Sequence, residues 1–296
     1  MIIASEVLLP EAYKIDKEVE ADIYIKKGPV PRIALERKKE GYVNSIFKLE
    51  WYWFFIEKVG DFFIEAGKSI TVTPLEGARE KSIRALILGP GLAGIMVQRK
   101  MIALHGGAVV KNQKAYLLCG ESGAGKSTLV TAFRKAGAKF LADDTVAIRE
   151  QKNCIMAYPA YPQQKLCEDA ACNYGYNTER LFLLDEERKK YAIPLLEEFC
   201  EETVPLAVIC IIQEAEVEQV SLREIEGHEK LQTVIRNLYS RTLFEMIGMP
   251  AECFQTLLSL VQAVPVCILK RPKGKFTPQE QIKLIEAFVV EQENKK

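Results

Sequence analysis

The sequence predicts an α/β fold in which a small β-rich domain, residues 1–75, precedes a larger domain over residues 76–296. The first region contains aromatic and β-branched runs without helical periodicity, which is typical of strands. After it, apolar strand-like segments alternate with helical ones, as they do in α/β domains. With 296 residues, 48% of them hydrophobic, the chain is long enough to form both cores.

Three segments carry the prediction of a β-rich first domain. Ala21–Ile25 and Trp51–Ile56 are aromatic or β-branched runs, and Asp61–Thr73 alternates around a central glycine. The Gly60-Asp61 pair between two of these runs predicts a hairpin turn. The domain is interpreted either as a docking module for a peptide substrate or as a structural sheet that completes the larger domain, and the sequence leaves both open.

The larger domain begins with a helical pattern over residues 75–101, which Gly89-Pro90-Gly91 interrupts. Strands are then predicted at Ala103–Val110, Ala115–Cys119, Phe140–Ala142, Pro205–Ile212 and Val264–Leu269. Helices are predicted at Lys126–Ala136, within 228–262 and from Pro278 onward.

The strongest motif lies between the strand Ala115–Cys119 and the helix that follows it. It reads Gly120-Glu121-Ser122-Gly123-Ala124-Gly125-Lys126-Ser127-Thr128 and matches the Walker A pattern in full. Its three glycines permit positive φ, so that successive backbone N–H groups can converge on an anion. The N-terminus of the helix adds a positive dipole. All nine residues are therefore predicted to bind the phosphates of ATP.

Two side chains of this loop are predicted to act on the phosphates directly. Lys126 would contact the β- and γ-phosphates and neutralise charge as the γ-phosphoryl group moves, and Ser127 would hold Mg²⁺ through its hydroxyl. Kinases, transporter ATPases, GTPases and motors share such a loop, so the loop alone does not decide the reaction.

Asp143 and Asp144 follow the next apolar strand, whose end should face the phosphates. Two adjacent carboxylates suit a division of labour, in which one orients Mg²⁺ and the other accepts the proton of an attacking hydroxyl. We assign Asp143 to the metal and Asp144 to the proton, and the sequence leaves the reverse assignment open. Because side chains alternate along a strand, both can serve only if the chain turns here. The alternative is an aspartate pair in a surface turn.

His105 is one of two histidines and precedes Gly106-Gly107, where small residues allow a close approach to neighbouring elements. An imidazole near the loop could assist proton transfer or hold a phosphate or acceptor, or it could be structural. His228 lies in a charged helical stretch and is interpreted as a surface residue.

Three of these segments together resemble a known family. They are Leu104-His105-Gly106-Gly107-Ala108-Val109, the loop from Gly120 to Thr128, and Leu141-Ala142-Asp143-Asp144. The combination resembles the catalytic core of HPr kinase/phosphorylase, a bacterial enzyme that phosphorylates a serine on a small carrier protein. The resemblance covers about 45 residues (104–148), over which it implies a P-loop domain with a mixed sheet, related to phosphoenolpyruvate carboxykinase. It also implies that His105 is catalytic.

Two departures separate the chain from the bifunctional HPr enzymes. Thr128 stands where those enzymes tend to carry glutamate, and no Arg-Gly signature follows the aspartate pair. These departures count against a phosphorylase reaction and against HPr as the substrate. The chain looks more like a divergent branch of HPr kinase-like proteins. Members of this branch that accompany lasso-peptide biosynthetic enzymes phosphorylate a C-terminal serine of the precursor peptide. Segments Tyr158–Leu166, Lys190-Tyr191 and Asn237–Arg241 also resemble this branch, without an assigned role.

Composition limits the partners that we expect. Lys plus Arg and Asp plus Glu both total 40, so the net charge of zero indicates neither a nucleic-acid nor a membrane partner. The longest apolar stretch, Ala85–Val97, is too short to span a bilayer. The eight cysteines lack metal-ligand spacing, and no secretory leader pattern is present, so we expect a cytoplasmic protein with reduced thiols. HPr-type enzymes are hexamers, which leaves a homo-oligomer open.

The sequence therefore predicts an ATP- and Mg²⁺-dependent kinase for a serine hydroxyl of a peptide or small protein, with a lasso-type precursor peptide as the preferred acceptor. Two alternatives remain, namely a small-molecule kinase on the same scaffold and a binding protein gated by nucleotide. An ABC-type ATPase is disfavoured, because the chain has no Leu-Ser-Gly-Gly-Gln signature and no hydrophobic strand that ends in Asp-Glu.

Overall fold

The computed structural model describes residues 1–12, 14, 19–39, 44–185, 188–239 and 241–295. Strands and helices in this part of the chain form a mixed α/β fold with three sheets. The chain divides into two compact units: the first contains Met1–Pro10, Lys14–Ala103 and Tyr239–Gln255, and the second contains Glu11–Tyr13, Leu104–Leu238 and Thr256–Lys296. No helix within the described ranges is long and apolar enough to span a membrane.

The α-helices differ in length from six to seventeen residues. They are α1 (Arg32–Lys39), α2 (Glu80–Leu86), α3 (Leu92–Gln98), α4 (Lys126–Lys135), α5 (Glu168–Asn173), α6 (Gly227–Arg236), α7 (Arg241–Ile247), α8 (Ala251–Ala263) and α9 (Pro278–Asn294). A short 3₁₀ turn covers Thr178–Arg180.

The first unit is built on a six-stranded sheet with the order β1-β2-β6-β5-β4-β3. Its strands are β1 (Ile3–Ser5), β2 (Ile23–Lys27), β3 (Ser45–Phe47), β4 (Trp51–Ile56), β5 (Gly60–Glu65) and β6 (Ser69–Pro74). Strands β1, β2 and β6 are parallel, whereas β3 to β6 form an antiparallel meander. The segment predicted at Trp51–Ile56 coincides with β4.

The hairpin between β4 and β5 turns three residues earlier than the sequence predicts. Ile56 pairs with Gly60, so residues 57–59 form the turn, and Lys58 takes the positive φ of 63°. Gly60 is instead the first residue of β5, and a Cβ there would lie 2.3 Å from the Thr73 carbonyl oxygen on β6. Glycine is required at this position by a close strand approach as well as by its φ of 144°.

Apolar side chains cover both faces of this sheet. Tyr52 and Phe62 belong to a core that also contains Ile83 and Ile95, from α2 and α3. Trp53, one position on, packs on the opposite face with residues near and within α1. Between α2 and α3 lies a π-helical turn, Ile87–Gly91, at the predicted interruption. The wider turn accommodates Pro90, which has no N–H to donate.

The second unit is built on an eight-stranded mixed sheet with the path β11-β10-β7-β8-β15-β17-β16, in which β9 also pairs with β7 and β11 also pairs with β15. Its strands are β7 (Ile102–Lys111), β8 (Lys114–Cys119), β9 (Lys139–Ala142), β10 (Thr145–Gln151), β11 (Cys154–Ala157), β15 (Val204–Ala215), β16 (Ser221–Ile225) and β17 (Val266–Pro272). A separate three-stranded antiparallel sheet contains β12 (Gln163–Cys167), β14 (Lys190–Pro194) and β13 (Phe182–Asp185).

Three parallel strands, β8, β15 and β17, form the centre of the larger sheet. Their runs are almost wholly apolar and buried, as expected where helices cover a parallel sheet. Phe133 from α4 and Ile285 from α9 lie in the same core as these strands. Because the strands are parallel, their carboxyl ends meet at one edge of the sheet, where α/β proteins commonly bind ligands.

Candidate functional site

The glycine-rich segment forms the connection from β8 to α4 at this edge. Gly120, Gly123 and Gly125 have φ values of 139°, 87° and 101°, so each adopts the positive φ that the sequence predicts. A Cβ on Gly120 would lie 2.4 Å from the Ile212 carbonyl oxygen of β15. The path of this loop therefore depends on glycine.

Lys126 folds back over the loop that precedes it. Its Nζ donates hydrogen bonds to the carbonyl oxygens of Gly120, at 2.7 Å, and Glu121, at 2.9 Å. Burial lowers the pKa of Lys126, and the nearby carboxylates of Asp143 and Asp144 partly oppose that shift. The ammonium group is thus held at the loop and within electrostatic reach of both aspartates.

The other predicted loop residues differ in their exposure to solvent. Glu121, Ser122 and Gly123 are exposed, whereas Ala124 is buried. Ser127 and Thr128 lie in the first turn of α4 and are partly buried.

The start of α4 is braced from behind by a buried polar network. Gln164 of β12 donates from Nε2 to the Ser127 carbonyl oxygen at 2.8 Å, and its Oε1 accepts from Arg134 at 2.8 Å. Arg134 also binds Glu198 with two hydrogen bonds, of 3.0 and 2.8 Å. Gln164 and Arg134 are almost fully buried and have partners at both ends, so they fix α4 without leaving an unpaired polar group.

Asp143 and Asp144 form the turn between β9 and β10. Asp144 has a φ of 65°, and the backbone N–H of Thr145 donates to the Asp143 carbonyl oxygen at 2.8 Å. The chain therefore turns at this pair, which is the condition that the sequence set for both carboxylates to serve one site. A non-glycine residue at positive φ is uncommon, although aspartate tolerates it better than most.

Lys165 of β12 holds both carboxylates. Its backbone N–H donates to Oδ2 of Asp143 at 2.7 Å, and its Nζ donates to Oδ2 of Asp144 in an ion pair. Two different groups of one residue thus fix the relative positions of the two aspartates. The sequence does not predict this contact.

The two carboxyl groups have opposite electrostatic environments. Burial, and then the charge of Asp144, raise the pKa of Asp143 above its ordinary value. Burial alone would also raise the pKa of Asp144, but the ammonium group of Lys165 outweighs burial and lowers it. Burial alone would lower the pKa of Lys165, whereas Tyr161 and Asp144 raise it overall. Asp144 and Lys165 are therefore a charged pair at neutral pH.

His105 lies beside the aspartate turn. Its Nδ1 is 3.0 Å from the carbonyl oxygen of Asp144, and its backbone N–H donates to the Asn237 carbonyl oxygen at 2.8 Å. Because a carbonyl oxygen only accepts, Nδ1 carries the hydrogen and Nε2 carries the lone pair. Burial, and then the charge of Lys126, lower the pKa of His105, so the imidazole is neutral at pH 7.

Gly106 and Gly107, which follow His105 in the chain, allow neighbouring elements to approach β7 closely. A Cβ on Gly107 would lie 2.7 Å from Val130 Cγ2 of α4 and 3.5 Å from Oδ1 of Asp143. A Cβ on Gly106 would lie 2.6 Å from the carbonyl oxygen of Leu118. These positions show the close approach for which the sequence analysis proposed glycine.

The structure brings together His105, Lys126, Asp143 and Asp144. The pKa of each of these groups is shifted by the charge of at least one other member. Lys190 of β14 joins this cluster electrostatically. The sequence singled out Lys190 without a role.

Arg271, at the end of β17, is a further contact of the loop that the sequence analysis missed. Its Nε donates to the Ala124 carbonyl oxygen at 2.8 Å, and its Nη2 donates to that of Gly123 at 3.3 Å. A signal was available, because an arginine at the carboxyl end of a strand parallel to β8 must lie near the loop. The predicted strand ended two residues too early, at Leu269, to use it.

Other residues that the sequence singled out lie elsewhere or have simple roles. Arg241 pairs with Glu245 on an exposed helix face, and Ser240 lies outside the described residues. His228 is exposed and bonds to Gln232, as expected for a surface residue.

Comparison with known proteins adds little to this geometry. No family model matches the sequence, and no curated protein matches it. Among solved structures, the HPr(Ser) kinase/phosphatase from Coxiella burnetii aligns with a TM-score of 0.37 and 12% identity, covering 65% of this chain and 93% of that chain. This alignment is too weak to assign a family or an activity to the chain. The fold and site define a mixed α/β protein with a Walker A loop beside paired aspartates.

Proposed function

We propose that this protein is an ATP- and Mg²⁺-dependent kinase that transfers the γ-phosphoryl group to a serine hydroxyl of a peptide or small protein. The observation that carries the proposal is the convergence of Lys126 with Asp143, Asp144 and His105 in one electrostatic cluster. A protein that only binds nucleotide needs the loop but not the carboxylates. Phosphoryl transfer needs both, because charge must be stabilised and a proton must be accepted.

The loop supplies the phosphate-binding half of the site. Its positive-φ glycines and the N-terminus of α4 favour an anion, and Lys126 adds a full positive charge. In phosphoryl transfer the charge is spread over the oxygens of the moving group, and fixed cations and N–H groups stabilise it. Lys126 would act in this way on the β- and γ-phosphates.

The donor set also fits Mg²⁺. Asp143 is a buried carboxylate, 8% exposed, and burial raises its pKa, so a neighbouring cation would favour its ionised form. No group of three or more histidine, cysteine or acidic side chains that could hold a metal occurs in the described part of the chain. Mg²⁺ does not need one, because it is commonly bound by one or two carboxylates and substrate phosphates. Ser127 and Asp143 would hold the ion, which would neutralise phosphate charge.

The remaining residues would handle the proton. The acceptor oxygen forms a bond to the γ-phosphorus, the bond from that phosphorus to the β,γ-bridging oxygen breaks, and ADP leaves with the electron pair. The hydroxyl proton passes to Asp144, which Lys165 keeps ionised at neutral pH. His105, through its Nδ1–H, holds the Asp144 carbonyl and so fixes the turn.

The chemical class of the acceptor is inferred from the sequence. A peptide serine, with a lasso-type precursor peptide preferred, follows from the resemblance of the three sequence segments. A small-molecule kinase and a nucleotide-gated binding protein are distinguished from it by experiment.

The proposal is tested by intact-mass spectrometry of candidate acceptors incubated with the protein, ATP and Mg²⁺. The acceptors are HPr and any precursor peptide encoded beside the gene. Lys126→Met removes the loop ammonium, and Lys135→Met on the exposed end of the same helix is the matched control. We expect one added phosphate on a peptide serine with the unmodified protein and with Lys135→Met, but not with Lys126→Met. ATP binding without transfer to any peptide would overturn the peptide-kinase proposal.

A further inference from the structure

The guanidinium group of Arg271 is fixed from two sides. On one side it donates to the carbonyl oxygens of Gly123 and Ala124, at 3.3 and 2.8 Å. On the other side its Nη1 lies 3.0 Å from Oε1 of Glu214, the residue that pairs with Arg271 in the β15–β17 register. The side chain is only 14% exposed. Its planar set of donors is therefore committed to the loop, to one carboxylate and, through Nη1 at 3.4 Å, to the carbonyl oxygen of Pro272.

This contact determines the orientation of a peptide plane in the loop. A trans peptide bond is planar, so its C=O and N–H groups point in opposite directions. Since the Ala124 carbonyl points at Arg271, the N–H of Gly125 points away from the guanidinium. That N–H belongs to the residue that caps α4, where the first amides of a helix have no partner within the helix.

Gly125 also permits the close contact sterically. A Cβ at this position would lie 3.2 Å from Nε of Arg271, and the φ of 101° disfavours any side chain. The glycine and the arginine thus fit as a pair, with the arginine against the outer surface of the loop.

We propose that Arg271 is a positioning residue for nucleotide binding, which holds the Ala124–Gly125 peptide so that the Gly125 N–H is aimed at a bound phosphate. This inference rests on the phosphate-binding part of the proposed function and adds a residue to it. Arg271 acts through the backbone of the loop and does not itself contact the phosphates. Its removal would leave the peptide free to rotate, and the loop would lose a pre-aligned donor.

The test is the affinity of Arg271→Met for ATP and for inorganic tripolyphosphate, measured by calorimetry. Both affinities should fall about 10- to 100-fold, because the variant no longer holds the Gly125 N–H in alignment before the ligand binds. Equal losses for the two ligands would locate the effect at the phosphates. Arg223→Met is the matched control, because Arg223 of β16 forms an exposed ion pair with Glu229 of α6. This variant should bind both ligands like the unmodified protein.

Arg271→Lys is a second variant, which keeps the inference testable if Arg271→Met does not fold. Lysine retains the charge beside Glu214 but lacks the planar fork, so its affinity for both ligands should fall by a smaller factor, about threefold or more. Unchanged binding by Arg271→Lys and Arg271→Met, or a loss for ATP without a loss for tripolyphosphate, would overturn the inference while leaving the proposed function intact. If the unmodified protein binds neither ligand, the phosphate-binding loop itself is refuted, and with it both proposals.

Discussion

The loop between β8 and α4 and the turn between β9 and β10 are the two parts of the proposed site, and they are built differently. In the loop, three glycines at positive φ determine the path of the backbone. Lys126 and Arg271 then donate hydrogen bonds to the carbonyl oxygens of the loop. In the turn, the backbone contributes one left-handed residue, Asp144, and the carboxylates are held by Lys165 from a different sheet. The path of the loop is therefore set mainly by its own glycines, whereas the positions of the two carboxylates depend on a residue of another sheet.

The largest expected effect comes from the loop. Lys126→Met removes the charge that would act on the transferred group, and we expect phosphoryl transfer to fall about 1,000-fold. Steady-state kinetics with the acceptor found by mass spectrometry measure this, with Lys135→Met as the control. A rate within tenfold of the unmodified protein would remove Lys126 from the mechanism.

The second effect tests the turn. Asp144→Asn should lower the turnover number about 100-fold or more, because the variant cannot accept the hydroxyl proton, while the affinity for ATP stays within about twofold. Asp169→Asn, an exposed aspartate on α5, is the control. If Asp144→Asn transfers phosphate normally, the assignment of Asp144 as the base is wrong.

A smaller effect tests whether the turn depends on the distant strand. Lys165→Met should lower the turnover number about 10-fold by freeing the Asp144 carboxylate, without changing the affinity for ATP, and Lys165→Arg should recover most of the loss. Lys189→Met removes an exposed lysine that pairs with Glu168 and should have no effect. An equal loss with Lys165→Arg would show that the charge beside Asp144 is not what matters.

The smallest expected effect is a change in thermal stability, and its dependence on pH differs between Asp143 and Asp144. Burial raises the folded-state pKa of Asp143, so its ionised form destabilises the fold at a pH above that pKa. Without Mg²⁺, Asp143→Asn should raise Tm by about 2–4 °C at pH 8, and the gain should shrink as pH falls into the ordinary carboxylate range. Asp144, whose pKa Lys165 lowers, stabilises the fold at high pH, so Asp144→Asn should lower Tm there.

Thermal unfolding followed by circular dichroism between pH 4.5 and pH 8 measures both differences against the unmodified protein. A constant difference for Asp143→Asn across this range would mean that its carboxyl group titrates normally in the folded state.

The same contrast explains what the sequence could predict. Gly120, Gly123 and Gly125 each permit a positive φ locally, so the loop and the helix that follows it could be read from nine adjacent residues. The sequence required the chain to turn at Asp143 and Asp144 if both carboxylates were to serve one site, and the structure has a turn at this pair. The β4–β5 turn was predicted at the wrong residues, because glycine at position 60 is required by the close approach of β6 and not by the turn.

Lys165 and Arg271 could not be assigned from adjacent residues, although a longer predicted strand at β17 would have indicated Arg271. Their roles arise from the pairing of β12 with β14 and of β15 with β17, which the local pattern does not contain. Gln164 and Lys165 are neighbours in the chain, yet one braces α4 and the other binds the aspartates, because side chains alternate along a strand.

The central claim is that the loop and the aspartate turn form one site for MgATP. The most direct test is calorimetric titration of ATP with and without Mg²⁺ for the unmodified protein and for Asp143→Asn. We predict that Mg²⁺ tightens ATP binding to the unmodified protein and has little effect on the variant, whose affinity for ATP alone is retained. An equal effect of Mg²⁺ on both proteins would show that Asp143 does not share a site with the loop.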